Sequence, residues 1–272
     1  MKELNAGKYF GSDVKNSNIG GIWTSIARYD ETLRTRPTSF NEWHFHQNPH
    51  FSFILEGGNI ERRKTVSAES RPGEVRFYHT GEPHQNVNVL YPSKNFNVEI
   101  DADFLSRYDL SESAIDAAVA ANFPNIKFTM LRIYKEAVSQ SGARELAVHS
   151  LILGAVSKKT GDAKKTLQLP RWADKVVQIL RDRWNENPSL KELSEASGVH
   201  PITISKHFPK YFSCTLGEYV RRVRIEKSLA FIKQSDDSLT DIAYRCGFAD
   251  QSHFTRVFKD LTGLKPGVFK KI

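Results

Sequence analysis

The stretch from Ser189 to Ser213 reads SLKELSEASGVHPITISKHFPKYFS, and the stretch from Ser238 to Gly263 reads SLTDIAYRCGFADQSHFTRVFKDLTG. The two align at an offset of 49 residues as far as the internal glycine of each and 50 residues after it. Each begins with Ser-Leu and continues as an apolar-periodic segment, a glycine and a second such segment, which predicts a helix, a turn and a helix. The chain therefore contains two predicted helix-turn-helix units in tandem. Such a unit holds its second helix at an angle suited to a DNA major groove.

Both units also follow one pattern of caps and buried positions. The serine is predicted to cap the first helix, and the glycine to form the turn. The predicted buried residues are Leu190, Leu193, Ala196, Val199, Ile204 and Phe208 in the first unit, and Leu239, Ile242, Ala243, Phe248, Phe254 and Phe258 in the second. The opposite face of each second helix is then predicted to bind DNA. Its residues are Ile202, Thr203, Ser205, Lys206 and His207, and Gln251, Ser252, His253, Thr255 and Arg256.

The residue types on these faces suit DNA. Lys206 and Arg256 suit guanine or phosphate, and the sequence leaves both choices open. Gln251 suits adenine. Ile202 suits a thymine methyl group, with a position partly tucked into the helix pair as the alternative.

A third helix is predicted between the two units, over Gly217–Gln234. It would span about 27 Å, close to the pitch of about 34 Å that separates successive major grooves on one face of B-DNA. Arg221, Arg222 and Arg224 lie near its start and are predicted to be solvated charges, with a phosphate contact by one of them as the alternative.

The stretch Asp241–Pro266 closely resembles the signature of the AraC/XylS family of transcription regulators. The resemblance covers roughly residues 169–272 and includes a closing Gly-x-x-Pro. It implies double-stranded DNA as a partner, a small-molecule effector and, because most members are activators, RNA polymerase as a further partner.

Two positions of the first unit depart from the family pattern. Pro209 stands where the family usually carries a basic residue, and it is predicted to end the second helix early because proline lacks the backbone N–H. Ser213 stands where many members have glycine.

Charge and length favour two domains. Residues 170–272 hold 18 Lys and Arg against 12 Asp and Glu, a net charge of +6, whereas residues 1–157 hold 17 against 18, a net charge of −1. Positive charge thus lies in the part predicted to bind DNA. The predicted domains are a barrel with an N-terminal arm over 1–100, a helical segment over 101–160, a linker over 161–169 and a DNA-binding domain over 170–272.

The N-terminal half has short β-rich runs separated by Gly, Pro and Asn, which favour an antiparallel β-barrel. The predicted strands include 22–29, 51–55, 74–78 and 86–99. The predicted fold class is therefore α+β: an antiparallel cupin-like barrel with a helical segment, followed by an all-α domain of two helix-turn-helix units joined by a long helix.

Two histidine spacings in this half resemble the two cupin motifs. The first is His44-x-His46-x3-His50-x6-Gly57, with histidine in the usual glutamate place. The second is Gly73-x5-His79-x-Gly81-x2-His84-x3-Asn88, with histidine in the usual proline place. AraC-type regulators commonly carry such a barrel as a sensor, so the resemblance implies a ligand-binding site. The predicted ligand-binding residues are His44, His46, His50, Tyr78 and His84.

Neutral imidazoles suit zinc, copper, nickel or iron, so a metal site at His44, His46, His50 and His84 is the alternative. We expect a hydrogen-bonding cluster at the barrel mouth instead, without metal or cofactor, because sensory cupins often lack the metal and the missing glutamate removes the one carboxylate ligand.

Residues 101–160 show helical periodicity. The predicted apolar stripes are Ile126, Met130, Ile133, Tyr134 and Ala137, and Leu146, His149, Ile152, Leu153 and Val156. This helical pair suits either a homodimer contact or an intrachain core.

These features predict an effector-responsive activator that reads two adjacent major grooves. Two alternatives stay open: a constitutive DNA-binding protein whose barrel serves oligomerisation, and a metal-dependent cupin enzyme fused to a DNA-binding unit. No nucleophile elbow, phosphate loop or paired-carboxylate signature is present in the sequence, so we expect no enzyme. Two cysteines, no signal peptide and no long apolar run predict a cytoplasmic protein without membrane contact.

Overall fold

The computed structural model describes residues 1–35, 42–121, 123–156 and 169–272, which form two compact units. One unit contains the described residues up to 156, and the other contains those from 169 to 271. The predicted linker over 161–169 lies, apart from Leu169, outside the described residues. The domain boundaries at 100, 160 and 169 therefore stay predictions.

The first unit is built on a curled sheet. Its strands are β1 (Lys2–Leu4), β2 (Asp13–Ile19), β3 (Ile22–Tyr29), β4 (His44–His46), β5 (His50–Arg63), β6 (Ser67–Ser70), β7 (Val75–Tyr78) and β8 (His84–Ile100). The sheet runs β1-β4-β8-β3-β2, and β5 pairs with β6, β7 and β8. Every pair is antiparallel except β1 with β4, which is parallel. The predicted α+β class and cupin-like barrel are confirmed, with this one parallel pair as an addition.

Strand β5 follows the curl of the sheet because it carries irregularities in its middle. Its register with β8 shifts around Glu56 and Gly58. Gly57 and Gly58 have φ of 69° and 141°, and a side chain on either would meet the backbone of neighbouring strands. Only glycine fits both positions, which explains the glycine that closes the first histidine motif.

Helices follow the sheet in the same unit. They are α2 (Ala102–Arg107), α3 (Glu112–Ala121), α4 (Phe123–Ala137) and α5 (Arg144–Val156), and one short helix, α1 (Thr32–Thr35), lies earlier, between β3 and β4. Helices α3, α4 and α5 enclose an apolar space against Phe51 and Val98 of the sheet. The apolar stripes of this region therefore supply an intrachain core, and a homodimer contact stays a prediction.

One stripe residue was predicted wrongly. Leu146 is 71% exposed, and Val148 is fully buried in its place. At about 100° per residue, Leu146 lies about 120° from the buried Ile152 around α5, whereas Val148 lies only about 40° from it.

The second unit is entirely helical. Its helices are α6 (Arg171–Asp182), α7 (Leu190–Ser197), α8 (Pro201–Phe212), α9 (Leu216–Gln234), α10 (Leu239–Arg245), α11 (Gln251–Thr262) and α12 (Pro266–Lys271). The pairs α7/α8 and α10/α11 are the two predicted helix-turn-helix units, and α9 is the predicted connecting helix, beginning one residue earlier. Cys214 and Cys246 are buried in this unit, and each is unbonded.

The predicted caps are present in both helix-turn-helix units. The Ser189 side chain accepts from the Glu192 N–H, and Glu192 completes a capping box. The Ser238 side chain accepts from the Asp241 N–H. These bonds satisfy backbone donors that the first turn of a helix leaves unpaired.

Most of the predicted buried residues are confirmed, and two in α7 are wrong. Leu190 is 39% exposed and Ala196 is exposed, whereas Leu193 is fully buried among residues of α6, α8 and α9. Leu190 and Ala196 lie about 60° on either side of Leu193 around the helix. Only the centre of that face is covered by neighbouring helices.

Pro209 does not end α8, contrary to the prediction. The helix continues to Phe212, and the Ser213 N–H donates to the Pro209 carbonyl at 2.9 Å. A proline removes one backbone donor but keeps a helical φ, so the last turn still forms on its carbonyl side.

Ser213 ends α8 in the left-handed conformation, with φ of 51°, where Gly263 ends α11 with φ of 77°. A side chain in this conformation is strained, which glycine avoids. We expect Ser213→Gly to raise the free energy of unfolding of this unit by about 0.5–1 kcal/mol, and the matched Gly263→Ser to lower it by about 1 kcal/mol. Urea unfolding of the full chain, followed by hydrogen exchange of the α8 and α11 amides, measures both. Opposite signs for the two variants confirm the prediction, and equal signs contradict it.

Candidate functional site

The two recognition helices α8 and α11 present the predicted DNA-binding residues to solvent. Of the ten, none is buried. Seven are exposed: Ile202, Ser205, Lys206, His207, Gln251, Ser252 and Arg256. Three are half-buried: Thr203, His253 and Thr255. Because Ile204, Phe208, Phe254 and Phe258 of the same helices are fully buried, each helix has one face in the core and one face free for a partner.

Several of these side chains already have a local role. Thr240 donates to the Gln251 side-chain oxygen at 2.6 Å, which leaves the Gln251 amide group available. The His253 ring packs edge-on against Phe248 at 5.3 Å between centroids. Ile202 is 64% exposed, so it is not tucked into the helix pair.

Lys206 and Arg256 differ from these neighbours. Neither side chain forms a hydrogen bond or an ion pair with any residue that the structure describes. A positively charged side chain on the solvent face of each recognition helix is thus available to bind a DNA phosphate or the edge of a guanine base.

The caps of the recognition helices were missed by the sequence analysis. The His200 ring accepts from the Ile202 N–H at 3.3 Å to cap α8, and Asp250 accepts from the His253 N–H at 2.7 Å to cap α11. A histidine before Pro201 and an aspartate three residues before His253 are the signals that could have found them.

The connecting helix α9 is the common support of both units. Its residues Tyr219 and Val223 lie in the core of the first helix-turn-helix unit together with Ile204 and Phe208. The same helix also packs against α10, α11 and α12. The orientation of one recognition helix relative to the other is therefore set by α9.

Arg224 on α9 was predicted as a solvated charge, and this is wrong. Its residue is 6% exposed, and its guanidinium donates to the carbonyls of Trp184, Glu186 and Gly247 and to the Asn187 side chain at 2.7–3.1 Å. Burial lowers the pKa of this guanidinium below its ordinary value. Arg224 thus joins the loop before α7 to the turn after α10.

The barrel brings together all five predicted ligand-binding residues. His44 and His46 come from β4, His50 from β5, Tyr78 from β7 and His84 from β8, and all are buried. Ring centroids lie 4.2 Å apart for His44 and His84 and 4.2 Å apart for His46 and His50. The His50 ring stacks on Tyr78 at 4.4 Å. Together they line a cavity of about 30 Å³.

These imidazoles are held neutral. Burial is the main cause that lowers the pKa of His44 to about 4 and lowers the pKa of His46, His50 and His84. The nearby histidines lower the pKa values of His44, His46 and His50 further, because two positive rings would repel.

The hydrogen bonds of the cluster are incomplete. His44 Nδ1 lies 3.0 Å from the Glu42 carbonyl, and His84 Nδ1 lies 3.0 Å from the Glu82 carbonyl. In contrast, the buried Nδ1 atoms of His46 and His50 have no partner among the described residues. The predicted hydrogen-bonding cluster is thus only half satisfied by the protein itself.

Several residues of this site were missed. Tyr9 and Phe10 pack their rings on His46 and His44 at 4.7 and 4.8 Å, and the Tyr9 hydroxyl donates to the buried Glu99 at 3.2 Å. The Tyr78 hydroxyl donates to the buried Glu61. Asn95 and Asn97 also line the cavity, and their alternation with apolar residues along β8 is a signal that could have found them.

Comparison with known proteins gives a family for this arrangement. A family model described as a helix-turn-helix domain matches residues 193–272. The probable transcription factor PqrA of Proteus vulgaris is 33% identical over 87 residues, which are 32% of this chain and 71% of that protein. The chain belongs to the AraC/XylS family of transcription regulators.

Other relatives of this AraC/XylS-family chain are matched over a smaller share. The transcriptional activator RhaS of Enterobacter sp. is 31% identical over 86 residues, which are 32% of this chain and 31% of RhaS. The match thus spans about a third of RhaS. Among solved structures, ToxT of Vibrio cholerae is aligned over 92% of this chain and 98% of its own, with 16% identity and a TM-score of 0.37.

PqrA is described as a probable transcription factor and RhaS as a transcriptional activator, and the chain is a DNA-binding transcription regulator of the AraC/XylS family. Across the part of the chain that the structure describes, every helix is too short or too polar to cross a bilayer.

Proposed function

We propose that this AraC/XylS-family regulator is an effector-responsive activator that inserts α8 and α11 into two successive major grooves of one DNA face. The proposal rests on one observation. The two recognition helices pack against the same connecting helix, and each presents to solvent a positively charged side chain that has no partner among the described residues. Lys206 and Arg256 are these side chains.

The length of α9 supports two-groove binding. It has 19 residues and would measure about 28 Å along its axis. Successive major grooves on one face of B-DNA lie about 34 Å apart. Because α9 packs against both helix-turn-helix units, the spacing between the recognition helices is fixed by a helix and not by a loop.

The response to an effector is proposed from the barrel. Its cavity is lined mainly by polar and aromatic side chains, two of which have unpartnered ring nitrogens. An effector that binds one conformation of the barrel more tightly than another shifts the population toward the state that binds DNA. The proposed activation of transcription follows the relatives named as activators.

The test is the spacing of the DNA site. Duplexes are first selected from a random pool with the full-length protein, and binding is then measured by fluorescence anisotropy at fixed salt. We expect two half-sites about 10 base pairs apart. Five inserted base pairs turn one half-site to the opposite face of the duplex and should weaken binding about tenfold or more.

Variants assign each half-site to one helix. Lys206→Ala should remove sensitivity to base changes in one half-site, and Arg256→Ala in the other, each weakening binding by about 1–3 kcal/mol for a base contact. Lys175→Ala on α6 removes the same charge outside the recognition helices and should change affinity less than twofold. Binding that tolerates the insertion equally well contradicts the two-groove proposal.

A further inference from the structure

We propose that Thr240 determines which base Gln251 reads, by holding the Gln251 side chain so that it presents only hydrogen-bond donors to DNA. This rests on the proposed insertion of α11 into a major groove, and it adds a residue that lies outside the predicted DNA-binding set. It also replaces adenine, the base that suits a freely rotating glutamine, with guanine.

The bond between the two side chains is of the O–H···O type. Thr240 Oγ1 lies 2.6 Å from Gln251 Oε1. Hydrogen bonds from a hydroxyl to an oxygen are about 2.5–3.0 Å long, whereas those from an N–H group to an oxygen are about 2.7–3.2 Å long. The separation therefore favours the amide oxygen, and not the amide nitrogen, beside Thr240. Because that oxygen carries no proton, the threonine hydroxyl is the donor.

Both ends of this bond belong to helix starts that are fixed by their own caps. Thr240 is in the first turn of α10, which Ser238 caps. Gln251 is the first residue of α11, which Asp250 caps. The bond thus joins two backbone segments of defined conformation that are 11 residues apart in the chain. It holds the Gln251 side chain in one orientation before any DNA is bound.

This orientation decides what the amide offers to a partner. The oxygen and the nitrogen of a carboxamide lie on opposite sides of the carbon that joins them. With the Gln251 oxygen held on the α10 side by Thr240, the other end carries two N–H donors and no acceptor. Gln251 is exposed, so these donors are open to solvent or to a base.

The edges of the bases respond differently to a side chain that only donates. In the major groove, adenine presents N7 as an acceptor and its N6 amino group as a donor, whereas guanine presents two acceptors, N7 and O6. The held amide therefore matches guanine. At adenine its N–H group would face another N–H group, and both would lose the hydrogen bonds that water gave them.

The first helix-turn-helix unit has no corresponding pair. At the offsets of the repeat, Lys191 stands in the place of Thr240 and Pro201 in the place of Gln251. A proline side chain has no polar group to hold. Control of a base-reading side chain by the preceding helix is therefore expected only in the half-site that α11 contacts.

The first test examines the bond without DNA. Nitrogen-15 relaxation of the Gln251 side-chain amide is measured by nuclear magnetic resonance in the full-length protein. We expect an ordered amide in the wild type and in Thr240→Ser, which keeps the hydroxyl, and a mobile amide in Thr240→Val, which keeps the shape but not the hydroxyl. Equal mobility in all three proteins overturns the proposal and leaves the two-groove proposal untouched.

The second test measures the base preference on the duplex selected with the full-length protein. The base pair that Gln251 contacts is the one whose substitution no longer matters in Gln251→Ala. Fluorescence anisotropy at fixed salt then gives the affinity for each base at this position. We expect the wild type to bind guanine at least about fivefold more tightly than adenine, Thr240→Ser to keep this ratio, and Thr240→Val to reduce it below about twofold.

The base pairs contacted by Lys206 and Arg256 are the control within each variant, because the Thr240 hydroxyl should not affect their selectivity. An equal loss of selectivity at every position in Thr240→Val would mean a general disturbance of α11 and overturns the proposal. A wild type that prefers adenine at the Gln251 position also overturns it, as does a Gln251→Ala variant with unchanged selectivity everywhere. The two-groove proposal is decided separately, by the inserted base pairs.

Discussion

Replacement of Arg224 by methionine is expected to destabilise the C-terminal unit by about 3–5 kcal/mol, which lowers the folding equilibrium constant by a factor of about 150 to 5,000. The side chain is buried and donates to four acceptors: the carbonyls of Trp184, Glu186 and Gly247, and the side-chain oxygen of Asn187. Methionine fills the space of the stem but leaves these acceptors without a donor. Each buried acceptor that loses its partner costs about 1–3 kcal/mol.

The measurement is amide hydrogen exchange of the full chain, because it reports on the C-terminal unit separately from the barrel. Peptides from α9, α10 and α11 should lose protection in Arg224→Met, while peptides from the barrel keep it. Arg222→Met on the same helix is the matched control. Arg222 is half-exposed and forms no hydrogen bond or ion pair with the described residues, so the change should stay within about 0.5 kcal/mol.

Arg224→Lys separates geometry from charge. Lysine keeps the positive charge but has one nitrogen in place of a planar fork, so it reaches fewer of the four acceptors. We expect it to recover less than half of the lost stability. Full recovery with lysine, or equal losses in Arg222→Met and Arg224→Met, would contradict the role of Arg224 as a link between the two helix-turn-helix units.

The helical elements of the C-terminal unit were predictable because their determinants are local. Ser189 and Ser238 cap helices through bonds to residues three positions away, and the buried Leu193 and Ile242 recur at the same place in each unit. Local spacing of this kind is visible in a sequence.

The burial of Arg224 could not be predicted in the same way. Three of its four partners are backbone carbonyls, which every residue has, so they leave no compositional signal. These partners lie 23–40 residues away in the chain and meet Arg224 only once the helices have packed.

In the barrel site, too, some residues could be predicted from local spacing and others could not. The spacing of His44 and His46 predicts a shared face, and the second motif places His84 opposite them, so this cluster was found. Glu61 was missed because the irregular register around Gly57 and Gly58 interrupts the simple alternation along β5. Tyr9 was missed because its contact with His46 is a tertiary one that no periodicity reports.

The two turn glycines should respond very differently to substitution by alanine. Gly198 and Gly247 occupy corresponding turns and have nearly the same left-handed φ, 72° and 76°. The strain of placing alanine in this conformation is therefore the same, about 1–2 kcal/mol. A Cβ on Gly198 would meet nothing within 4 Å, whereas a Cβ on Gly247 would lie 2.5 Å from the Asn185 carbonyl oxygen and 2.9 Å from Arg224 Cζ.

Gly247→Ala is thus expected to destabilise the C-terminal unit by about 2–5 kcal/mol, and Gly198→Ala by about 1–2 kcal/mol, because crowding in a packed interior adds about 1–3 kcal/mol to the conformational strain. The loop at Asn185 belongs to the segment whose carbonyls bind Arg224, so it can move away from a new methyl group only by breaking those hydrogen bonds. Hydrogen exchange of α10 and α11 in the full chain measures the first variant, and that of α7 and α8 the second. Equal losses for the two alanines would mean that the turn conformation alone matters. A larger loss at Gly247 would mean that the turn of the second helix-turn-helix unit, unlike that of the first, is packed against Arg224, which links the two helix-turn-helix units.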